Sequence, residues 1–185
     1  MPTTTSPSSV LITGARAPVA LHLARLFHGA GWRVVLADTP AAPLSAASRA
    51  CAAYVRLPPP RFEPKRYGEA VVALVAREDI DLVLPTCEEV FYLAEVWRER
   101  RPNARLFAPD TDLLRRAHNK FNFIALCREL GLAAPKTMLI EDRAMLAGLR
   151  EAAAGLVFKP VWSRFASRVL LRPSPQALDA LHPTP

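Results

Sequence analysis

At 185 residues, 51% of them hydrophobic and 22% charged, the chain has room for one ordinary domain, or one domain and part of another, and is too apolar for disorder. Its net charge of +7 comes from scattered arginines with no stripe of interleaved aromatics, which argues against nucleic acid and leaves small anions, phosphates above all, as partners. No apolar run approaches the ~18 residues of a membrane span, residues 1–9 have no secretory pattern, and Cys51, Cys87 and Cys127 form no CxxC pair, so a reducing cytoplasm with no membrane partner is expected.

Residues 1–8 are Thr, Ser and Pro and read as a loose, disordered tail. Residues 9–13 are a short apolar strand, followed directly by Gly14. Pro18 suits the first turn of a helix that runs to about residue 28, and residues 32–37 make a second strand ending in Asp38. This is a β-α-β unit with parallel strands and a right-handed connection. It lacks the three glycines of a dinucleotide fingerprint, since only Gly14 is present. Asp38 reads equally as a strand-end turn residue.

A loop over 40–48 with a short helical turn leads to a third strand over 52–57 and the rigid connector Pro58-Pro59-Pro60. Apolar spacing over 64–77 makes a helix, and residues 81–85 a fourth strand. Thr86-Cys87-Glu88-Glu89 follows that strand's carboxyl end, where open parallel sheets bind ligands. Glu88 and Glu89 also begin the next helix, where negative charge is favourable in itself, and both readings stand. The helix ends near residue 101, and residues 104–108 are a fifth strand. Residues 9–109 thus form an α/β, Rossmann-like parallel sheet.

From Pro109 the pattern changes. A short helix over 113–117 leads through His118-Asn119-Lys120-Phe121 to a helix over 123–130 closed by Gly131. A strand is expected over 138–140, a helix over 144–153 and a buried strand over 156–158. This last strand delivers Lys159, and Pro160 stops regular pairing. A polar segment with Ser163, Arg164, Ser167 and Arg168 precedes a second short strand over 169–171 and a helix over 173–181. Strand, cation, polar loop and strand can lay charge and donors over a phosphate chain. The same pattern is also that of a surface hairpin with a snorkelling lysine. Lysine occurs only four times, at 65, 120, 136 and 159. A strand pair and one helix cannot cover both faces of a sheet, so residues 110–185 are expected to be linker helices plus an incomplete second subdomain.

The order Asp110-Thr111-Asp112, Asn119-Lys120-Phe121, Leu130-Gly131-Leu132, Ala134-Pro135-Lys136-Thr137 and Phe158-Lys159-Pro160 resembles the N-terminal part of an ATP-grasp enzyme. The type is that of carbamoyl-phosphate synthase and biotin carboxylase, and the resemblance runs from Val10 onward. It implies a pre-ATP-grasp domain, a helical linker and the start of an α+β ATP-grasp subdomain. It also implies that Lys120 and Lys159 contact ATP phosphates, with Ser163, Arg164 and Ser167 as loop donors, although family loops are glycine-rich and residues 161–167 contain no glycine. Thr86, Glu88, Glu89 and Arg16 would lie near the acceptor substrate.

The chemistry implied is attack of a carboxylate on the γ-phosphate and capture of the acylphosphate by an amine. The family's Mg²⁺ ligands follow the segment that matches, so no metal ligand and no catalytic residue are expected here, and the chain is expected to be a fragment that is inactive alone. The competing reading is a Rossmann-like nucleotide- or dinucleotide-binding module, or an interaction module that self-associates through its incomplete second sheet.

Overall fold

The computed structural model describes residues 7–163, 166 and 168–183; residues 1–6, Arg164, Phe165, Ser167, Thr184 and Pro185 lie outside the described residues. The chain divides into two compact units, Met1–Thr111 and Asp112–Pro185. No helix among the described residues is long and apolar enough to cross a membrane.

The first unit contains β1 (Ser9–Thr13), α1 (Pro18–Gly29), β2 (Arg33–Asp38), a 3-10 turn at Leu44–Ala47, β3 (Ala53–Arg56), α2 (Pro64–Arg77), β4 (Leu82–Leu84), α3 (Glu89–Arg100) and β5 (Arg105–Leu106). The strands form one parallel sheet in the order β3-β2-β1-β4-β5. Parallel strands need crossover helices, which cover both faces and bury the centre. β1 is accordingly buried at every position. Successive side chains leave a strand on opposite faces, so Val10 and Ile12 pack with Ala20 and Ala24 of α1. Leu11 packs with Tyr67, Val71 and Leu74 of α2 and Leu93 of α3.

Proline at the first turn starts both α1 and α2, where its missing N–H costs nothing. α2 and α3 approach closely at Gly68, where a Cβ would lie 2.8 Å from Val96 Cγ2. The C-terminal end of α3 is pinned by Trp97, whose indole N–H donates to the Ala104 carbonyl at 2.8 Å.

The second unit holds α4, which begins at the boundary (Thr111–His118), α5 (Lys120–Glu129), α6 (Arg143–Gly148), a 3-10 turn at Ala153–Gly155, an antiparallel pair β6 (Val157–Phe158) and β7 (Leu170–Leu171), and α7 (Pro175–Asp179). Its core is Leu146, Ala153 and Leu178, with Ile140, Phe158 and Leu181 packed against them. The guanidinium of Arg150 grips Asp179 through two bonds of 3.1 and 2.9 Å, holding α7 in place.

Here several expectations are corrected. Residues 138–140 form no strand; no neighbour supplies a ladder, without which β propensity has nothing to stabilise. The helix expected over 144–153 stops at Gly148, a residue with low helical preference. β6 is not a buried strand: Val157 is 50% exposed, as is 71% of its cross-strand partner Leu171. Only the Phe158 side of the pair meets a core. α5 starts three residues earlier than expected, because the Asn119 side chain caps it, accepting from the Phe121 and Asn122 amides at 3.0 and 2.9 Å.

Leu11→Ala in β1 is expected to cost about 2–5 kcal/mol in urea unfolding. Leu26→Ala, at a position 56% exposed on α1, is expected to stay within about 0.5 kcal/mol of the parent.

Candidate functional site

In the first unit the chain leaves β1 toward β2 and later crosses back to β4 on the other side of β1. Such a reversal leaves a crevice at the strands' carboxyl ends, here between the ends of β1 and β4. Thr86 and Glu89 occupy it. The Thr86 hydroxyl reaches the carbonyls of Thr13 and Gly14 at 2.8 and 3.1 Å. Glu89 Oε1 accepts from the Thr13 hydroxyl at 2.8 Å and from the amides of Thr86 and Cys87 at 3.1 and 3.2 Å.

Gly14 is in the left-handed region at φ +70°, and a Cβ there would lie 2.5 Å from Thr86 Oγ1 and 2.9 Å from Glu89 Oε1. The absence of a side chain is therefore required both by conformation and by space. Glu89 is only 5% exposed, and its Oε2 is buried with no partner among the described residues, as is the Tyr67 hydroxyl. Burial, with the charges of Glu89 and Asp38 behind it, holds the Tyr67 phenol well above its ordinary pKa. Burial and then Glu89 also raise that of the Cys87 thiol, which stays protonated and is a poor nucleophile.

Arg16 and Glu88 are exposed at the same edge. Asp38 holds Arg16 by accepting from its amide and its Nη1, both at 2.8 Å, and takes a third bond from the Thr39 amide at 2.7 Å. Of the four residues that the sequence nominates here, two bind the sheet ends together and two face solvent. Thr13 and Tyr67, which complete the buried polar group, carry no motif that would single them out.

In the second unit, Lys120 is the first residue of α5 and Lys159 follows β6. The Lys120 amide donates to the Val161 carbonyl at 3.1 Å, and its ammonium donates to the Ser163 carbonyl at 2.6 Å. Burial and then the positive charge of Lys159 push the Lys120 pKa down. Among the described residues neither lysine pairs with a carboxylate. The Ser163 hydroxyl is buried and unpartnered among the described residues. Trp162 lies against the His118 ring, with centroids 5.8 Å apart and a 30° tilt. Arg164 and Ser167 lie outside the described residues.

Two lysines and a buried hydroxyl are a donor set suited to phosphate oxygens. They do not suit Mg²⁺, which binds carboxylates. No group of three or more His, Cys, Asp or Glu residues that could hold a metal ion exists among the described residues.

No protein-family model matches the sequence, and no curated protein does. Solved structures do match. The biotin carboxylase domain of a single-chain bacterial carboxylase aligns over 95% of this chain at 23% identity, with a TM-score of 0.63. The biotin carboxylase domain of Hydrogenobacter thermophilus 2-oxoglutarate carboxylase, solved with MgADP, ADP and bicarbonate, aligns over 93% at 14% identity, with a TM-score of 0.68. Staphylococcus aureus N5-carboxyaminoimidazole synthetase, solved with ADP, aligns over 93% at 11% identity, with a TM-score of 0.70.

The chain has the fold of the N-terminal part of ATP-grasp enzymes. It spans 39–43% of the length of these three ATP-grasp structures. At such identities the likeness concerns the ATP-grasp fold alone.

The lysine pair makes a direct prediction. Following the Lys120 side chain by NMR through an alkaline titration should give a midpoint below that of an ordinary lysine. Lys159→Met should move that midpoint up, because it removes the second cause of the depression. A midpoint insensitive to residue 159 would show that the two charges do not meet.

Proposed function

We propose that this chain is the nucleotide-anchoring N-terminal portion of an ATP-dependent ligase that joins a carboxylate to an amine through an acylphosphate. What supports this reading is that the charge of Lys159 reaches Lys120 and that neither lysine pairs with a carboxylate among the described residues, in a chain whose fold is that of ATP-grasp N-terminal parts.

Phosphoryl transfer is catalysed mainly by neutralising charge and aligning the partners. Lys120 and Lys159 neutralise charge on the phosphate chain, and Ser163, Arg164 and Ser167 add donors. Lys159 directly follows β6, in which Val157 lies opposite Leu171 in register. This bare apolar pair gives a purine ring a surface beside the lysines.

In the first unit, Arg16 and Glu88 contact the acceptor substrate, a small carboxylate or amine. Thr86 and Glu89 support that contact by fixing the ends of β1 and β4. Asp38, which a dinucleotide-binding unit turns toward a ribose, is already engaged by Arg16 and Thr39, so the Rossmann-like dinucleotide alternative is disfavoured. Mg²⁺ accompanies ATP but takes its carboxylate ligands from a part of the enzyme beyond the segment that matches. The isolated chain therefore binds nucleotide and does not turn over.

Calorimetry on the full chain should give heat with Mg-ATP or ADP and none with NADPH. Lys120→Met and Lys159→Met should each weaken nucleotide binding about 10–100-fold, the worth of one charge-assisted bond. Heat with NADPH but not with nucleotide would reverse the reading. Steady ADP release with a panel of carboxylates and amines would disprove the inactivity of the chain alone.

A further inference from the structure

The arginines at the carboxyl ends of β1, β2 and β3 carry a further inference, which rests on the reading above of Arg16 as an acceptor contact. Asp38 ends β2, and Arg56 ends β3 as its partner in register. Partners in a parallel pair project to the same face from strands roughly 4.8 Å apart, so Arg56 stands beside Asp38. Arg16, three residues after β1, reaches the same carboxylate through its amide and its Nη1, at 2.8 Å each.

Asp38 is only 6% exposed, whereas both arginines are exposed. A buried carboxylate thus orients one surface cation and stands next to a second. It does not bind the second. Arg56 donates its Nε to the Thr39 carbonyl at 2.9 Å and has no ion pair among the described residues. The Thr39 amide in turn donates to Asp38 Oδ1 at 2.7 Å, the same oxygen that receives Arg16. The charges of both arginines also act on the Tyr54 hydroxyl, which donates to the carbonyls of Asp38 and Pro40. Burial and then Asp38 raise the Tyr54 pKa, and Arg56 and Arg16 oppose that rise.

Two positive charges and one negative leave this group with positive charge in excess. Arg16 keeps its Nε and Nη2, and Arg56 both of its Nη atoms, without a partner among the described residues. A guanidinium tied to the protein by one donor presents the others as a fork that matches the two oxygens of a carboxylate. Glu88 and Glu89 follow β4, on the other side of β1 from Arg56.

We propose that Arg16 and Arg56 form a carboxylate seat at the ends of β1, β2 and β3, which makes the acceptor a small carboxylate and not a free amine, and makes Arg56 a residue that selects it. A monocarboxylate cancels the excess charge, a phosphate dianion overshoots it, and an ammonium is repelled. Asp38 and Thr39 already hold both side chains in the free chain, so binding orders little that is not ordered beforehand.

The test uses the full 185-residue chain without nucleotide, at fixed ionic strength because exposed charges are screened by salt. Propionate, inorganic phosphate and methylammonium are titrated separately. The Nε–H resonances of Arg16 and Arg56 are followed by NMR. Propionate should shift both resonances with a common midpoint, phosphate should bind more weakly, and methylammonium should shift neither. Arg16→Gln and Arg56→Gln should each weaken propionate binding about 10-fold, the worth of one charge-assisted bond. Arg56→Lys should recover only part of that loss, because an ammonium lacks the fork.

A propionate shift at Arg16 alone, or at neither arginine, would overturn the seat. Tighter binding of phosphate would overturn the monocarboxylate assignment, and a methylammonium shift would overturn the choice of carboxylate over amine. These outcomes are read on the parent chain, so a poorly folded variant would not spare the proposal. Heat with Mg-ATP but no propionate shift would overturn the seat and leave the ligase reading standing. A propionate shift in a chain that gives no heat with nucleotide would overturn the ligase reading, and with it the acceptor role of a seat that nonetheless binds.

Discussion

The Lys120 ammonium, partly withdrawn from water and influenced by the charge of Lys159, is held at a net cost with no carboxylate partner among the described residues. Desolvation by burial and then the charge of Lys159 act on Lys120, and both lower its pKa. The second unit tolerates this with one backbone carbonyl as the neutraliser. Most other side-chain ion pairs of the chain are exposed arginine–carboxylate contacts of the kind that contribute little to stability. The two lysines differ in that neither has a carboxylate partner among the described residues. Local structure places the two lysines. The Asn119 cap fixes the start of the helix that carries one of them, and the short hairpin fixes the strand that ends in the other.

The first unit solves a separate problem. A doubly wound sheet has a natural opening where its strand order reverses, and here that opening is filled from within. Thr86 and Glu89 turn inward to join the ends of β1 and β4, so the exposed edge is left to Arg16 and Glu88. The buried carboxylate is tolerable because three donors converge on one of its oxygens, which offsets much of its desolvation. Arg16 is in turn held in place by Asp38 on two sides, its backbone and its guanidinium. A cation that is pre-positioned in this way loses little freedom when it meets a ligand.

How legible this was from residues alone varies along the chain. α2 begins at Pro64 and ends at Arg77 as its proline and apolar spacing require, because both signals are local. The central strands β1, β2 and β4 are recognisable for the same reason, since strands buried on both faces are largely apolar. The parallel sheet followed from those signals, and the ATP-grasp type of fold from the order of the lysine motifs. The second unit was less legible. Its strand and helix lengths depend on what each segment packs against, and an apolar run such as Met138–Leu139–Ile140 carries no mark of whether a partner exists. Asn119 reads as a turn residue until the helix after it is seen to start at once. Glu89 admitted two readings, ligand contact or helix-end charge. Its buried bonds to Thr13 and to the turn before α3 give it a third role, which a linear pattern cannot express because its partner is seventy-six positions away.

The left-handed glycine at the end of β1 has a consequence for how such a chain can vary. Gly14, Thr86 and Glu89 share one small volume, though they come from opposite halves of the sheet. A larger residue at position 14 would need a smaller one at 86 and a retreat of the carboxylate at 89, and no single exchange accomplishes all three. Each member of the trio therefore limits what the other two positions can hold.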